Sequence, residues 1–160
     1  MNPRIRPATL ADIDVLTDFN ARMARETEHR ELDLAVLRGG VSAALKDPHK
    51  GKYYVAESEG KIVGQLLLTN EWSDWRNGMF WWIQSVYVPE AWRGKGVFSA
   101  LFAHVRTLAG SEQNVAGLRL YVEKDNAGAR RTYEKLGMTK TEYDMYEIDL
   151  TGTGSEERKR

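Results

Sequence analysis

The sequence predicts an α/β fold in which helices cover both faces of one central, mixed but largely antiparallel sheet. Three observations support this prediction. Turn signals separate three strand-like runs in the middle of the chain. Segments whose apolar residues have helical spacing lie before and after those runs. The run MFWWIQSVYV, residues 79–88, is apolar on both alternating faces, which is typical of a strand covered on both sides.

The first part of the chain predicts one strand and two helices. Residues 5–9 form a short strand. Thr9 and Asp12 match a capping box at the start of a helix that runs from about Leu10 to Arg25. A second helix follows from Asp33 to Leu45, although two glycines weaken its middle.

Three strands follow. YYVAES (residues 53–58) and KIVGQLLLT (residues 61–69) are separated by the hairpin signal Glu59-Gly60. Asn77-Gly78 predicts a type I′ turn before the third run. Strict alternation in that run predicts two faces, one with Phe80, Trp82, Val86 and Val88 and the other with Trp81, Ile83 and Tyr87.

The last part of the chain predicts two helices and further strands. A helix begins at Gly96, and LRLYV (residues 118–122) is a strand. A short helix comes next, with Asn126 placed to cap its start and Gly137 placed to end it. TEYDMYEIDL (residues 141–150) predicts one or two last strands.

Length and composition restrict the class of protein. The 160 residues suggest one domain, residues 1–150, followed by a tail at 151–160 that is expected to be disordered. The absence of cysteine excludes disulfides, thiolate zinc sites and a cysteine nucleophile. Lys and Arg together number 23, as do Asp and Glu, so no nucleic-acid partner is expected. The sequence shows no signal peptide and no membrane span, and we expect a cytoplasmic protein.

The segment WRGKGVFSALF, which starts at Trp92, joins a strand to a helix. Free N–H groups at a helix start bind anions, and glycines at 94 and 96 let a phosphate approach the backbone. Arg93 and Lys95 add positive charge. The chain has no Walker A sequence, and the antiparallel strands before this loop disfavour a Rossmann site. On the glycine spacing alone, a simple tight turn explains the loop about equally well.

Two segments in register resemble the GNAT N-acetyltransferase family. The loop resembles the family's [RQ]-x-x-G-x-[GA] pattern, with Arg93 and Gly96 in place and Phe98 where a small residue is usual. The run VEKDNAGARRTYEKLGM resembles the family's second segment, N-x-x-A-x-x-x-Y-x-x-x-G-[FM]. The residues that match this segment are Asn126, Ala129, Tyr133, Gly137 and Met138.

This resemblance implies an N-acetyltransferase that uses acetyl-CoA, with an amine attacking the thioester directly. It implies a splay between the fourth and fifth strands that admits the pantetheine arm, and a pyrophosphate site on the amides of residues 94–99. The residues it assigns to the cofactor are Val86, Tyr87, Val88, Arg93, Gly94, Lys95, Gly96, Val97, Phe98, Ser99, Asn126, Ala129 and Tyr133. Phe98 is expected to turn its ring into the core beside Phe102, leaving only its N–H for the cofactor.

Two residues are candidates for the proton transfers. Tyr133 holds the family's tyrosine position and is the candidate general acid, whereas its helical spacing alone favours core packing. Gln84 stands where many relatives carry a glutamate base, and it could hold a water molecule. The proton would then leave through one of three carboxylates, Glu26, Glu28 or Glu71. Two alternatives stay open, an acceptor of lower pKa and His29 as the base.

The segment EWSDWRNGMFWW, residues 71–82, lies beside the place where we expect the acceptor amine to bind. Its tryptophans suit an aromatic-walled pocket, although sheet packing explains two of them equally well. The candidate substrate-binding residues are Glu28, Trp72, Trp75, Trp82 and Gln84. We assign no metal, expect the amine of a small molecule or peptide as acceptor, and note that a homodimer would suit the family. Two other functions stay open, a non-catalytic acyl-CoA-binding module and a peptide- or nucleic-acid-binding adaptor.

Overall fold

The computed structural model describes residues 2–152, whose contacts divide into two compact units, residues 2–122 and residues 123–152. The first unit contains a five-stranded sheet whose strands lie side by side in chain order. Neighbouring strands are antiparallel except the last pair, which is parallel. The predicted mixed, largely antiparallel sheet is confirmed. Its strands are β1 (Arg4–Pro7), β2 (Lys52–Ser58), β3 (Lys61–Ser73), β4 (Gly78–Tyr87) and β5 (Val115–Arg119).

Helices cover both faces of this sheet, as predicted. Helices α1 (Ile13–Glu28) and α2 (Leu34–Lys46) pack on one face through an apolar cluster that includes Leu16, Val41, Tyr53 and Val55. Helix α3 (Val97–Ser111) packs on the opposite face against β2, β3 and β5. Burying one aliphatic side chain contributes about 1.5–3 kcal/mol, so both layers stabilise this unit. Within residues 2–152, no helix has the length and apolar character to cross a membrane.

The start of α1 forms as its sequence predicts. The backbone N–H of Thr9 donates to the Asp12 carboxylate at 2.8 Å, which completes a capping box before a short 3-10 turn, Leu10–Asp12. Arg6 of β1 also donates to Asp12, at 2.8 and 3.0 Å, and to Glu57 of β2 at 2.8 Å. These bonds hold the pKa of Asp12 below its usual value, with the Arg6 bonds as the largest cause.

The two hairpins differ from each other. Glu59 and Gly60 both have positive φ, 53° and 76°, and join β2 to β3 as the sequence predicts. The type I′ prediction for Asn77-Gly78 is wrong, because Gly78 has no positive φ and already opens β4. A Cβ at Gly78 would lie 3.1 Å from the Asn114 carbonyl oxygen. The absence of a side chain at Gly78 therefore allows the chain that enters β5 to pass close to the start of β4.

The second unit contains helix α4 (Ala127–Lys135) and an extended segment. The prediction of one or two strands in residues 141–150 is wrong, since this segment has no strand structure. Tyr143, Tyr146 and Ile148 are more than three-quarters exposed. A strand requires the backbone of a second strand, and within residues 123–152 the unit offers only a helix. The single domain at 1–150 stays a prediction, and of the predicted tail, residues 153–160 lie outside the described residues.

Candidate active site

A β-bulge interrupts β4 near its end. Leu67 of β3 pairs with Gln84 and Gln65 pairs with Tyr87, so β4 carries one residue more than β3 between these pairs. Ser85 has a φ of 50° in this bulge. Because the extra residue reverses the alternation of side chains, the side chains of Tyr87 and Gln84 lie on the same face of the sheet. The strict alternation predicted for β4 is therefore wrong beyond the bulge.

Beyond this point β4 separates from β5. Within the described chain, β5 pairs with Met79–Trp82 of β4, and residues 83–87 pair only with β3. The other edge of residues 83–87 is therefore open, and its N–H and C=O groups face a gap between the two strands. This gap is the predicted splay between the fourth and fifth strands, and it adjoins the predicted cofactor residues 86–88.

The loop between β4 and α3 supplies donors next to this gap. Gly94 and Gly96 have φ values of 74° and 82°, which L side chains rarely adopt, and a Cβ at either would meet no atom within 4 Å. The first helical bond of α3 runs from the N–H of Ala100 to Gly96, and no side chain caps the helix. The first turn of α3 therefore lies ahead of this first helical bond, and its N–H groups, together with the open glycines, fit a pyrophosphate.

The Arg93 side chain turns away from these amides. Its Nε donates to the Val88 carbonyl at 2.8 Å and its Nη2 to Glu26 at 3.0 Å. Glu26 is also hydrogen-bonded to Tyr87, and this bond is the main cause that lowers the pKa of Glu26. Burial, followed by the bond to Glu26, raises the pKa of Tyr87. In this arrangement Arg93 fastens the loop to α1, and its predicted role as a phosphate ligand stays a prediction.

Phe98 packs as the sequence predicts. Its ring is half-buried and lies beside Phe102, with the ring centroids 6.1 Å apart and a tilt of 48° between the planes. Because only the backbone of Phe98 is needed at the helix start, its large side chain is compatible with the anion site. Lys95 has its ammonium 5.2 Å from the centroid of the Trp92 ring.

The face of the sheet on the α1 side brings two predicted acceptor residues together. Gln84 Nε2 donates to Thr69 Oγ1 at 2.7 Å, and Trp82 Nε1 donates to Glu71 at 3.1 Å. Arg119 of β5 donates to the second oxygen of Glu71 at 2.7 Å. Two hydrogen-bonded groups therefore form a row on the face where we expect the acceptor. One is Gln84 with Thr69, and the other is Trp82 with Glu71 and Arg119.

The other predicted acceptor residues lie elsewhere. Trp72 pairs with Met79, which places it on the opposite face of β3 from Glu71. Trp75 lies in the turn after β3 and is 87% exposed. Glu28 is the exposed last residue of α1. The first unit thus groups Trp82 with Gln84 and places Trp72 on the other face, whereas the role of Glu28 in binding the acceptor stays a prediction.

The second unit arranges the second motif locally. The Asn126 side chain accepts a hydrogen bond from the N–H of Ala129 at 3.1 Å, which confirms Asn126 as the cap of α4. Gly137 has a φ of 93°, and the N–H of Met138 donates to the Tyr133 carbonyl. Burial raises the pKa of Tyr133. These contacts explain the spacing of the motif as the start and end of one helix.

Sequence reasoning missed three residues that shape the site, Gly64, Gln65 and Arg119. A Cβ at Gly64 would lie 2.6 Å from Val97 Cγ1, so this glycine allows α3 to approach β3. A glycine inside a strand pattern indicates a close backbone approach, and that signal was present. The partner of Arg119 is 48 residues away, and no local pattern identifies it. Within residues 2–152, no group of His, Asp and Glu side chains is arranged to hold a metal ion.

The comparison with known proteins identifies the family. Residues 14–138 match the model of the GNAT acetyltransferase family. Because this match covers more than half of the chain, the protein belongs to the GNAT acetyltransferase family. The splayed fourth strand and the parallel pairing of β4 with β5 agree with that fold.

Individual relatives agree with this assignment. The chain is 36% identical over 88 residues to an uncharacterized N-acetyltransferase from Methanocaldococcus jannaschii, a match that covers 53% of this chain and 51% of that protein. A possible acetyltransferase from Clostridium difficile 630 has a solved structure with a TM-score of 0.87 and 47% identity, covering 94% of this chain and 99% of that one. A predicted acetyltransferase from Clostridium acetobutylicum, solved with acetyl-CoA, has a TM-score of 0.74 at 20% identity, covering 94% and 98%.

Proposed function

We propose that this protein transfers an acetyl group from acetyl-CoA to the primary amine of a small molecule or peptide, by direct attack in a ternary complex. One observation carries the proposal. The open edge of β4 leads within ten residues of chain to the glycine loop and the first turn of α3, which no side chain caps. A strand edge followed by an anion site suits a ligand with an amide-containing arm and a pyrophosphate, and coenzyme A is such a ligand. The related structure solved with acetyl-CoA supports this choice.

The chain's own residues would bind and orient the cofactor. The edge around residues 86–88 offers backbone groups to the pantetheine arm, and the amides of residues 94–99 offer donors to the pyrophosphate. Each interaction of an anion with a helix end contributes about 0.3–2 kcal/mol, so several in parallel give useful affinity. Bound acetyl-CoA supplies the acetyl group as a thioester. In the second unit, Tyr133 is the proposed donor of the proton that the leaving thiolate needs.

The base is the weaker part of the site. Gln84 cannot take a proton at neutral pH, and its amide is bonded to Thr69. The lowered pKa of Glu26 makes that carboxylate a poor base. Removing a proton from an amine of pKa about 10.4 at pH 7 requires about 4–5 kcal/mol. We therefore expect the amine to lose its proton to water, and kcat/KM to rise with pH until the amine is neutral.

A second candidate is a non-catalytic module that binds acyl-CoA. The hydrogen-bonded Gln84 at the position where relatives carry a base favours it. The two functions separate in two assays. Isothermal titration with acetyl-CoA tests the binding site, and no binding at millimolar ligand would overturn both. Release of free CoA thiol is then measured over a panel of polyamines, amino acids, aminoglycosides and peptides. Turnover with one acceptor excludes the binding module, whereas binding with no turnover in a broad panel contradicts the transferase.

A variant pair strengthens the binding assay. Gly94→Val adds a branched side chain in front of the amides at a φ of 74° and should weaken acetyl-CoA binding. Gly40→Ala in α2 is the matched control, since its Cβ would meet no atom within 4 Å and its φ is not positive. Equal affinities for the two variants would contradict the location of the pyrophosphate site.

A further inference from the structure

A fully buried glutamine lies in the core beneath the β4 bulge. Gln65 of β3 is 0% exposed, and its Nε2 donates to the Ser85 carbonyl at 2.9 Å. Its Oε1 is buried and accepts a hydrogen bond from no group in residues 2–152. Leaving such an oxygen unpaired costs about 1–3 kcal/mol. A methionine would fill a similar volume without this cost, so core packing alone does not account for the amide.

The bulge that Gln65 holds is itself unfavourable. Ser85 is not a glycine and has a φ of 50°, a left-handed conformation that costs about 1–2 kcal/mol. A bulge also removes one residue from the ladder, and the bond from Gln65 gives the Ser85 carbonyl a partner. A regular strand would avoid both costs, so the bulge must be maintained by contacts such as this one.

A second contact holds the same residue from another side. The Ser85 side chain lies beside the hydroxyl of Tyr53 in β2. That hydroxyl accepts from Asn20 Nδ2 of α1, at 3.2 Å, and Asn20 donates to the Leu16 carbonyl at 2.9 Å. Asn20 and Tyr53 are each 5% exposed. The bulge is thus connected to three other elements by buried polar groups.

We propose that Gln65 is a positioning residue for acetyl transfer, which holds Ser85 in the bulge and thereby aims the open edge of residues 86–88 into the gap between β4 and β5. This inference rests on the proposed function. A slip of one residue in register moves each side chain and each backbone group to the opposite side of a strand. Without the Gln65 bond the bulge migrates or opens, and the edge that takes the pantetheine arm loses its orientation.

The test uses three variants of the full chain. Gln65→Met removes both polar atoms and keeps the volume. Gln65→Glu replaces the donating amide by a carboxyl, which donates to Ser85 only while it is protonated. Leu66→Met is the matched control, because Leu66 is equally buried and lies on the opposite face of the same strand.

Two readouts are measured for each variant. One is amide hydrogen exchange of residues 85–88 compared with β2, which reports the bulge without any ligand. The other is kcat and KM for the acceptor, together with the Kd for acetyl-CoA. For Gln65→Met we expect exchange at residues 85–88 to rise at least tenfold, and kcat to fall about tenfold to a hundredfold, as a misplacement of about 1 Å does. Leu66→Met should change neither.

The Gln65→Glu variant adds a pH signature. Its kcat relative to the wild type should be highest at low pH and fall as the new carboxyl ionises. On the same face of the sheet, burial raises the pKa values of Tyr53 and Tyr87, and the pKa of Glu26 in α1 is lowered, so none of these three groups titrates near neutral pH. A pH-independent ratio would contradict the bond to Ser85 as the active contact.

The outcomes are distinct. If the amides of residues 85–88 exchange in Gln65→Met at the same rate as in the wild type, the proposal is overturned, whatever the activity of the variant. Equal losses of kcat in Gln65→Met and Leu66→Met also overturn it, since the effect would then be general core damage. If the wild type fails to bind acetyl-CoA, the proposed function fails, and the exchange data alone decide whether Gln65 holds the bulge.

Discussion

Gly64 of β3 sets the distance between the sheet and the start of α3, and Gly64→Ala tests this. The new Cβ would lie 2.6 Å from Val97 Cγ1 and 3.3 Å from Leu101 Cδ1. Carbon atoms in contact are about 3.5–4.0 Å apart, so Val97 must move by about 1 Å. Val97 is 2% exposed and cannot turn its side chain into solvent. The helix start itself has to move.

Two quantities should change. Overpacking of a core costs about 1–3 kcal/mol, so urea unfolding should show the free energy of unfolding reduced by that amount. Val97 is the first residue of α3, and its displacement moves the N–H groups proposed for the pyrophosphate. Losing one helix-end contact of about 0.3–2 kcal/mol raises the Kd for acetyl-CoA about twofold to thirtyfold, measured by isothermal titration.

Controls separate the clash from the simple gain of a methyl group. Gly40→Ala in α2 meets no atom within 4 Å and should stabilise the protein by about 0.5–1 kcal/mol, with an unchanged Kd. The double variant Gly64→Ala/Val97→Ala removes the clashing methyl and should be more stable than the sum of the single changes indicates. Wild-type stability and Kd for Gly64→Ala, or strict additivity in the double variant, would refute the reasoning.

Three further predictions concern other parts of the chain. Tyr133→Phe should keep acetyl-CoA affinity and lower kcat about a hundredfold, because burial raises the pKa of Tyr133 and keeps its phenol protonated at neutral pH; an unchanged kcat removes its role as acid. Gly96→Ala, at a φ of 82°, should lose about 1–2 kcal/mol of unfolding free energy, and Gly96→Asn less, while equal losses in urea unfolding would contradict the conformational cause. The lowered pKa of Asp12 means that its stabilising effect is present above its ordinary pKa of 3.8 and is lost as pH falls through the folded value. Acidification should therefore destabilise the wild type more steeply than Asp12→Asn, and parallel pH profiles of unfolding would disprove it.

Several features of this protein follow from neighbouring residues alone. The capping box at Thr9 and Asp12 and the cap of α4 at Asn126 form through hydrogen bonds that span three residues. The positive φ values of Gly94 and Gly96 follow from the absence of a side chain. Such features depend only on local geometry, and for this reason the sequence predicted the two caps correctly.

Other features depend on which strand lies next to which. The pattern in residues 141–150 predicts a strand, yet the second unit provides no strand to pair with. Strict alternation misplaced Tyr87, because the bulge at Ser85 appears only when β4 is aligned with β3. The sequence does contain a partial signal, because Gly64 inside β3 indicates that another segment approaches closely. The glycine alone does not show that this segment is α3.

The sequence by itself determined the class of fold, the family motifs and the loop that can bind a phosphate, since each is written in residues within a few positions of one another. The tertiary structure decided how the site is held. Arg93 donates hydrogen bonds to Glu26 and Val88, and Arg119 donates to Glu71. The amide of Gln65 donates to the carbonyl of Ser85. Apart from the bond between Arg93 and Val88, which are 5 positions apart, these contacts join residues 20 to 67 positions apart, and only the folded chain brings them together.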